Sequence, residues 1–390
     1  MSSKTTSNDV QNIKNTFTSL NPLLKIFGLN CDTFQCEKTI LSLIAFLLPA
    51  VIIGCADAYS MYYKLQHTYS QVTMSIKYVD GLQVIFDYFQ YLIDLYVVYK
   101  TGVYIQNYYN TYRKIDENLA LKYCSAVQKK LRIIVIYFGF IWLFSCACDY
   151  GAWIYTSGFD IATSFFMSYV FILIKILTSI DMTSHILHVE YRLSIIGDIA
   201  ESMCNKNVWA TEERPAKVLV RRRDILTEIQ CLKKCYLWII ELNGFINQVF
   251  GARVLLNSLS ILIDMVRFTN ITARLLLGSQ HLTRHGKSVF PEVSTVMRFL
   301  TCVAVLYNLA KHCELAYKKR ERIIDIIDRT IVFKEPGEDV KVTLLELQQL
   351  IQARPVDFTL HNLTRIDYSL LGSMTSIVVT YTIILLQSVN

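Results

Sequence analysis

Polar and apolar positions alternate along the chain in long blocks rather than at the two-residue period of a sheet. Six runs stand out as continuously apolar, at residues 40–63, 81–99, 131–155, 163–185, 236–266 and 293–310, and a seventh occupies 368–387. About 20 mostly apolar residues are needed to cross a bilayer as a helix. The pattern therefore predicts an all-α membrane protein with seven transmembrane helices. Beyond the sixth run the pattern changes to helical amphipathicity. Leu309, Cys313, Ala316, Arg320, Ile323 and Ile327 follow three- and four-residue spacing, so helix 6 is expected to continue as a water-exposed extension. Glu335-Pro336-Gly337 should break it. A second amphipathic helix follows, with Leu344, Leu347, Leu350 and Ile351 against Glu346, Gln348 and Gln349, and Pro355 should end it. Two such helices beside the last crossing suggest an assembly layer; an amphipathic helix lying on anionic lipid is the alternative.

Composition agrees with the membrane class. Of 390 residues 53% are hydrophobic and 18% charged, with mean hydropathy +0.34, more apolar and less charged than a soluble domain. Charge placement sets the orientation. Segments on the N-terminal side of the bilayer hold 30 Lys and Arg and those on the opposite side 7, which by the positive-inside rule places the N-terminus in the cytosol and the C-terminus outside. A multi-pass plasma-membrane protein is expected, divided into a cytosolic segment 1–39, helices 1–6 at 40–310, a cytosolic helical anchor at 311–367 and helix 7 at 368–390. The first 38 residues lack the apolar core and cleavage site of a signal peptide. The +7 net charge lies in particular loops without a nucleic-acid motif, so no nucleic-acid partner is expected. No cysteine falls in an expected extracellular loop, so no disulfide framework is expected.

Helix 7 carries the most information. Ser373, Ser376, Thr380 and Gln387 share one helical face, interrupted by Ile383 and Ile384. Such a stripe must face protein or water. It fits a packed polar seam, and equally a pore lined by hydroxyls and gated by a hydrophobic ring. The run Thr380-Tyr381-Thr382-Ile383-Ile384-Leu385-Leu386-Gln387 resembles the Thr-Tyr-(five apolar)-Gln signature that ends insect gustatory receptors, with support upstream from Pro355-Val356-Asp357-Phe358, Ile366-Asp367 and Leu370-Leu371. The likeness is sharp over this final stretch and rests elsewhere on layout. Departures occur at Leu360, Asn362 and Thr364, where the family often has Ala, Gly and Phe, and at Ser388, where it often has an aromatic. The resemblance implies a ligand-gated, non-selective cation channel that acts as a taste receptor. Its partners would be a small-molecule tastant, permeating cations and membrane lipid, and it would assemble as a homotetramer or as a heterotetramer with other gustatory receptors. Thr380, Tyr381 and Gln387 would be the family motif. Ile384 and Gln387 would set the gate, flanked by Ile383, Thr380 and Ser388.

Charged and aromatic residues in the outer halves of the helices suggest where a ligand binds. Asp87 and Tyr91 lie in helix 2, Trp153 in helix 3, Tyr169 and Lys175 in helix 4, Arg253 and Asn257 in helix 5, and Arg298 and Thr301 in helix 6. Together they describe an amphipathic pocket of the kind small ligands occupy. Each charge has a second reading as a structural pair, Asp87 or Asp149 with Arg253 or Lys175. Three cations and the lack of an outer Trp on helices 5 and 6 favour a bitter or other non-sugar tastant over a sugar, which remains the alternative ligand class.

Other signals are weaker. His185-x-x-His188 and His281-x-x-x-His285 have metal-compatible spacing without a third ligand, so no metal or cofactor is expected. Motifs for phosphate binding or nucleophilic catalysis are absent from the sequence, and no enzyme is expected. A G-protein-coupled receptor would run with its N-terminus outside, and a secondary transporter would show inverted repeats with broken helices. Asn270-Ile271-Thr272 is a glycosylation sequon on the expected outer side, close to the bilayer.

Overall fold

The computed structural model describes residues 20–30, 40–69, 74–102, 104–119, 125–205, 215–276 and 290–387. Its elements are α1 (Asn21–Ile26), α2 (Ile40–Tyr63), α3 (Met74–Gly102), α4 (Ile105–Asn118), α5 (Ser125–Ser157), α6 (Phe159–Ser164), α7 (Phe166–Asn205), α8 (Pro215–Leu276), α9 (Phe290–Lys334), α10 (Glu338–Ala353) and α11 (Tyr368–Gln387). The strands β1 (Thr359–Leu360) and β2 (Thr364–Arg365) form a small hairpin between α10 and α11. Ser388, His281 and His285 lie outside the described residues.

Each apolar run falls on helix, the fourth beginning at the end of α6 and continuing in α7. Among the described residues, four helical spans are long and apolar enough to cross a membrane, at Ser125–Thr156, Phe159–Met203 (α6 with α7), Asp224–Arg274 and Phe290–Lys334, and a shorter apolar helix spans Tyr368–Ile384. The second run differs because α3 carries Asp80, Asp87 and Asp94 along its length. Pro49 sits inside α2, where it costs one helical hydrogen bond. Gly158 takes φ +95°, open to glycine and strained for other residues, and divides α5 from α6.

The helices outrun the bilayer. At 1.5 Å per residue the 62 residues of α8 span about 93 Å, against about 30 Å of hydrocarbon. Two cores result. One gathers Ile134, Ile176, Phe268, Val305 and Val378 from α5, α7, α8, α9 and α11. The other joins Tyr112, Ile196, Ile239, Cys313, Ile327, Leu347 and Phe358 from α4, α7, α8, α9, α10 and the segment before β1. As expected, α9 continues to Lys334, the chain breaks at Glu335–Gly337, and α10 ends at Ala353, before Pro355.

The segment between α10 and α11 is held residue by residue. The Tyr236 hydroxyl donates to the Arg354 carbonyl at 2.9 Å. Asn243 and Asn247 amides donate to the Asp357 carbonyl at 3.0 and 2.7 Å. The Tyr317 hydroxyl accepts from the Phe358 N–H at 3.1 Å and donates to the Ile366 carbonyl at 3.1 Å. Arg365 covers the Tyr317 ring, 3.7 Å from its centroid. The hairpin turn holds His361 and Asn362 at φ 49° and 60°, a left-handed conformation that Asn tolerates better than most residues. That accounts for Asn362 where the resemblance leads one to expect Gly. Gly251 on α8 lets the hairpin approach: a Cβ there would lie 2.9 Å from the His361 nitrogen. Asp367 then starts α11. Its Oδ1 accepts from the N–H groups of Ser369 and Leu370 at 2.9 and 3.2 Å. Partial burial pushes this carboxyl up, and the hydrogen bonds from Ser369 and Leu370 outweigh it, so its pKa is lowered overall.

In the sequon that the sequence places close to the bilayer, the asparagine is buried. Asn270 lies within α8, is 1% exposed, and accepts a hydrogen bond from Arg274 at 3.0 Å. The sequon is closed to glycosylation in this fold.

Candidate functional site

Charges inside an apolar bundle must find partners or water, and α3 and α8 solve this with matched spacing. On α3, Asp80, Gln83, Asp87, Gln90 and Asp94 recur at three and four residues; on α8, Arg253, Asn257, Ser260, Asp264 and Arg267 do the same. Each set forms one helical face. The faces meet as an antiparallel polar ladder. Arg267 reaches Asp80 at 2.7 Å, Ser260 donates to Asp87, Gln90 donates to Asn257 at 3.1 Å, and Arg253 lies 3.3 Å from Asp94.

Helix α7 completes the ladder. Lys175 sits 2.7 Å from Asp87 and bonds Asp264 as well, so one ammonium bridges two carboxylates. Thr178 donates to Asp94 at 3.1 Å. Asp181 meets the other side of Arg253 at 3.2 Å. At the upper end Asp80 also receives Lys64 at 3.0 Å and the Tyr69 hydroxyl at 2.6 Å. A second cluster lies between α5, α7 and α9. Asp149 accepts from Tyr169, Ser294 and Arg298 at 2.9, 2.9 and 3.0 Å. Arg298 packs its guanidinium over Tyr169 and Phe268, 4.8 and 4.5 Å from the ring centroids. Two of its nitrogens, Nε and Nη2, are buried without a hydrogen-bond partner, as is Nε of Arg267.

Of the nine residues that the sequence suggests for a ligand, Asp87, Lys175 and Asn257 therefore come together, with Arg253 one rung deeper. Tyr169 and Arg298 meet in the second cluster. The other three stand apart: the Tyr91 hydroxyl donates to the Phe27 carbonyl at 2.8 Å, Trp153 stacks near Phe165, and Thr301 donates to the Met297 carbonyl in its own helix. Asp80, Gln83, Gln90, Ser260, Asp264 and Arg267 were not among the expected residues, although their repeating spacing is visible in the sequence. His185 faces the Tyr108 hydroxyl at 2.6 Å, and among the described residues no three His, Cys, Asp or Glu form a metal cluster.

Helix α11 is built the opposite way. Met374, Val378 and Thr382 are its buried seam, 6%, 3% and 6% exposed. At ~100° per residue, Ser373, Ser376, Thr380 and Gln387 fall on the side diametrically opposite, and all four are exposed. Ile383 and Ile384 flank that stripe and are exposed too. Ser373 and Thr380 return their hydroxyls to carbonyls one turn back, at 3.1 and 2.9 Å, so no other helix satisfies them.

The class that these features define is a helical membrane protein with a polar interior and one hydroxyl-lined outer helix. The chain belongs to the 7tm chemosensory receptor family, the insect odorant and gustatory receptors, whose model matches residues 19–389. Among solved structures it is similar to the olfactory receptor OR5 of the insect Machilis hrabei, with TM-score 0.62 at 10% identity, covering 97% of this chain and 100% of that one. The same receptor in complex with eugenol gives TM-score 0.59 at 10% identity, covering 95% and 99%. No curated protein matches this chain in sequence.

Proposed function

We propose that this receptor is a ligand-gated, non-selective cation channel that serves taste, with seven crossings, its N-terminus in the cytosol and four copies of α11 around a central pore. The observation that carries this reading is the polar stripe of α11, which lies directly across the helix from its buried seam. A lone protomer leaves that stripe facing hydrocarbon, which is costly. Four protomers turn it onto shared water. Rings of Ile384 would dewet a narrow pore, and Gln387 amides would meet ions at its outer mouth when the ring widens. The segment 311–367 then anchors the tetramer from the cytosol, and homomeric and heteromeric assembly both satisfy the stripe.

The ligand site in this reading lies in the outer halves of α3, α5, α7, α8 and α9, around Asp87, Lys175, Asn257, Tyr169 and Arg298. The unpartnered N–H groups of Arg298 and Arg267 favour a tastant rich in hydrogen-bond acceptors, a bitter or other non-sugar compound, because a buried donor left unsatisfied is costly. Eugenol, bound by the Machilis receptor, shows a small aromatic ligand in a protein of this fold. Currents from cells expressing this chain alone, screened against alkaloids, organic acids and sugars, test the proposal. An acid- or alkaloid-evoked cation current whose selectivity changes in Gln387→Ala, at unchanged surface expression, is expected. Evoked currents that Gln387→Ala leaves untouched would remove α11 from the pore.

A further inference from the structure

The interior sites above are rich in cations, and a groove elsewhere on the molecule has the opposite character. It opens between the end of α2 and α6 with the start of α7, and encloses about 360 Å³. Tyr59 and Tyr63 form one wall and Phe159 and Phe166 the other, with Ser60 and Ser164 at the base. The Ser60 hydroxyl donates to the Ser164 carbonyl and so ties the two walls together. Asp160 stands in the lining, exposed, and no basic side chain pairs with it among the described residues. Lys64, the residue after Tyr63, is buried and bound to Asp80 at 3.0 Å, so it does not neutralise Asp160.

An anionic carboxylate beside several aromatic faces is the arrangement that recognises an organic ammonium ion. The rings attract the cation through their quadrupoles, the carboxylate adds Coulomb attraction, and the apolar body of the ligand is removed from water. Tyr59, Phe159 and Phe166 are 70%, 63% and 55% exposed, which leaves ring area for a ligand to cover. An acidic or purely acceptor ligand would meet repulsion from Asp160. We propose that this groove is a second binding site, separate from the interior one, for a soluble organic ammonium ion with an aromatic or branched aliphatic body. This does not depend on the channel reading, since it concerns binding alone. The same chemistry is carried by choline lipids, and the test separates the two sources.

The test is equilibrium binding of radiolabelled benzyltrimethylammonium to the full chain in nanodiscs, made once with a choline lipid and once with an uncharged glycolipid. Saturable binding is expected in both. Neopentylbenzene, the neutral isostere, should compete at least tenfold more weakly. Asp160→Asn and Tyr59→Ala, both at exposed positions, should each weaken binding about fivefold. Glu346→Gln, at an exposed position on α10, should leave it unchanged. Equal competition by the neutral isostere, or binding indifferent to Asp160→Asn, would overturn the proposal without use of any variant that might misfold in the first case. Binding seen only in glycolipid discs would put a lipid headgroup in the groove and overturn the assignment to a soluble ligand.

Discussion

The bundle interior and α11 both place polar groups in apolar surroundings and handle them in opposite ways. In the interior, Asp80, Asp87, Asp94, Asp149 and Asp264 are each matched to a Lys or Arg of a neighbouring helix. The single chain is enough to satisfy them. On α11 the Ser373 and Thr380 hydroxyls bond to carbonyls of their own helix, and the polar face looks away from the rest of the protomer. The contrast separates polarity that the single chain satisfies from polarity that it leaves exposed, which the proposed pore would turn onto water. Variants in the first region should act on stability, and variants on α11 should act on conduction.

The largest effect is expected at Lys175. Lys175→Met leaves Asp87 and Asp264 buried together without a cation, a loss of about 3–5 kcal/mol, and the receptor should fail to reach the surface by biotinylation. Adding Asp87→Asn and Asp264→Asn should restore most of the folded protein; if it does not, the bridge is not what the interior depends on. Next is Gly251→Ala, whose Cβ would press on the hairpin backbone at 2.9 Å, an overpacking cost of about 1–3 kcal/mol. Hydrogen exchange should rise over residues 357–366 while the ladder helices keep their protection. Exchange that rises throughout would mean the hairpin and the ladder are one cooperative unit.

Removing the cap with Asp367→Ala should cost about 1 kcal/mol and fray the first turn of α11, read as faster exchange at Ser369 and Leu370. The pH dependence has the same origin. The folded pKa of Asp367 is lowered, so its contribution is complete above the unfolded value and disappears as pH falls through the folded one. Acid should therefore fray this turn in the unmodified chain and have no further effect in Asp367→Ala. The smallest stability effect is expected for Ser376→Ala, within about 0.5 kcal/mol, although single-channel conductance should fall. A clear drop in melting temperature would place Ser376 in a packed contact and erase the contrast.

Much of this was legible in the sequence because hydrocarbon imposes simple rules. The apolar runs located the helices, and the three- and four-residue spacing beyond residue 309 located the extension of α9 and the helix α10. The motif ending at Gln387 pointed to the family. The ladder was written in the sequence as well, in two heptad-like polar patterns about 160 residues apart, but its register appears only when the two faces are laid antiparallel against each other. Asp87, Lys175, Arg253 and Asn257 stood out as intramembrane polar residues; Gln83, Ser260 and Asp264 gained meaning only from their partners. The Asp149–Arg298 pair had no local signal, because α5 and α9 are joined through two other long helices. The burial of Asn270 was hidden for a related reason: the apolar run ends near residue 266, whereas α8 continues to Leu276.

The central claim is that the Ser373–Ser376–Thr380 face of α11 meets water while the Met374–Val378 face does not. Single cysteines placed at these five positions and treated with a charged, water-soluble methanethiosulfonate on the assembled receptor in membranes measure this directly. The account predicts labelling at 373, 376 and 380 and protection at 374 and 378. Protection at all five, or labelling confined to 374 and 378, would contradict it.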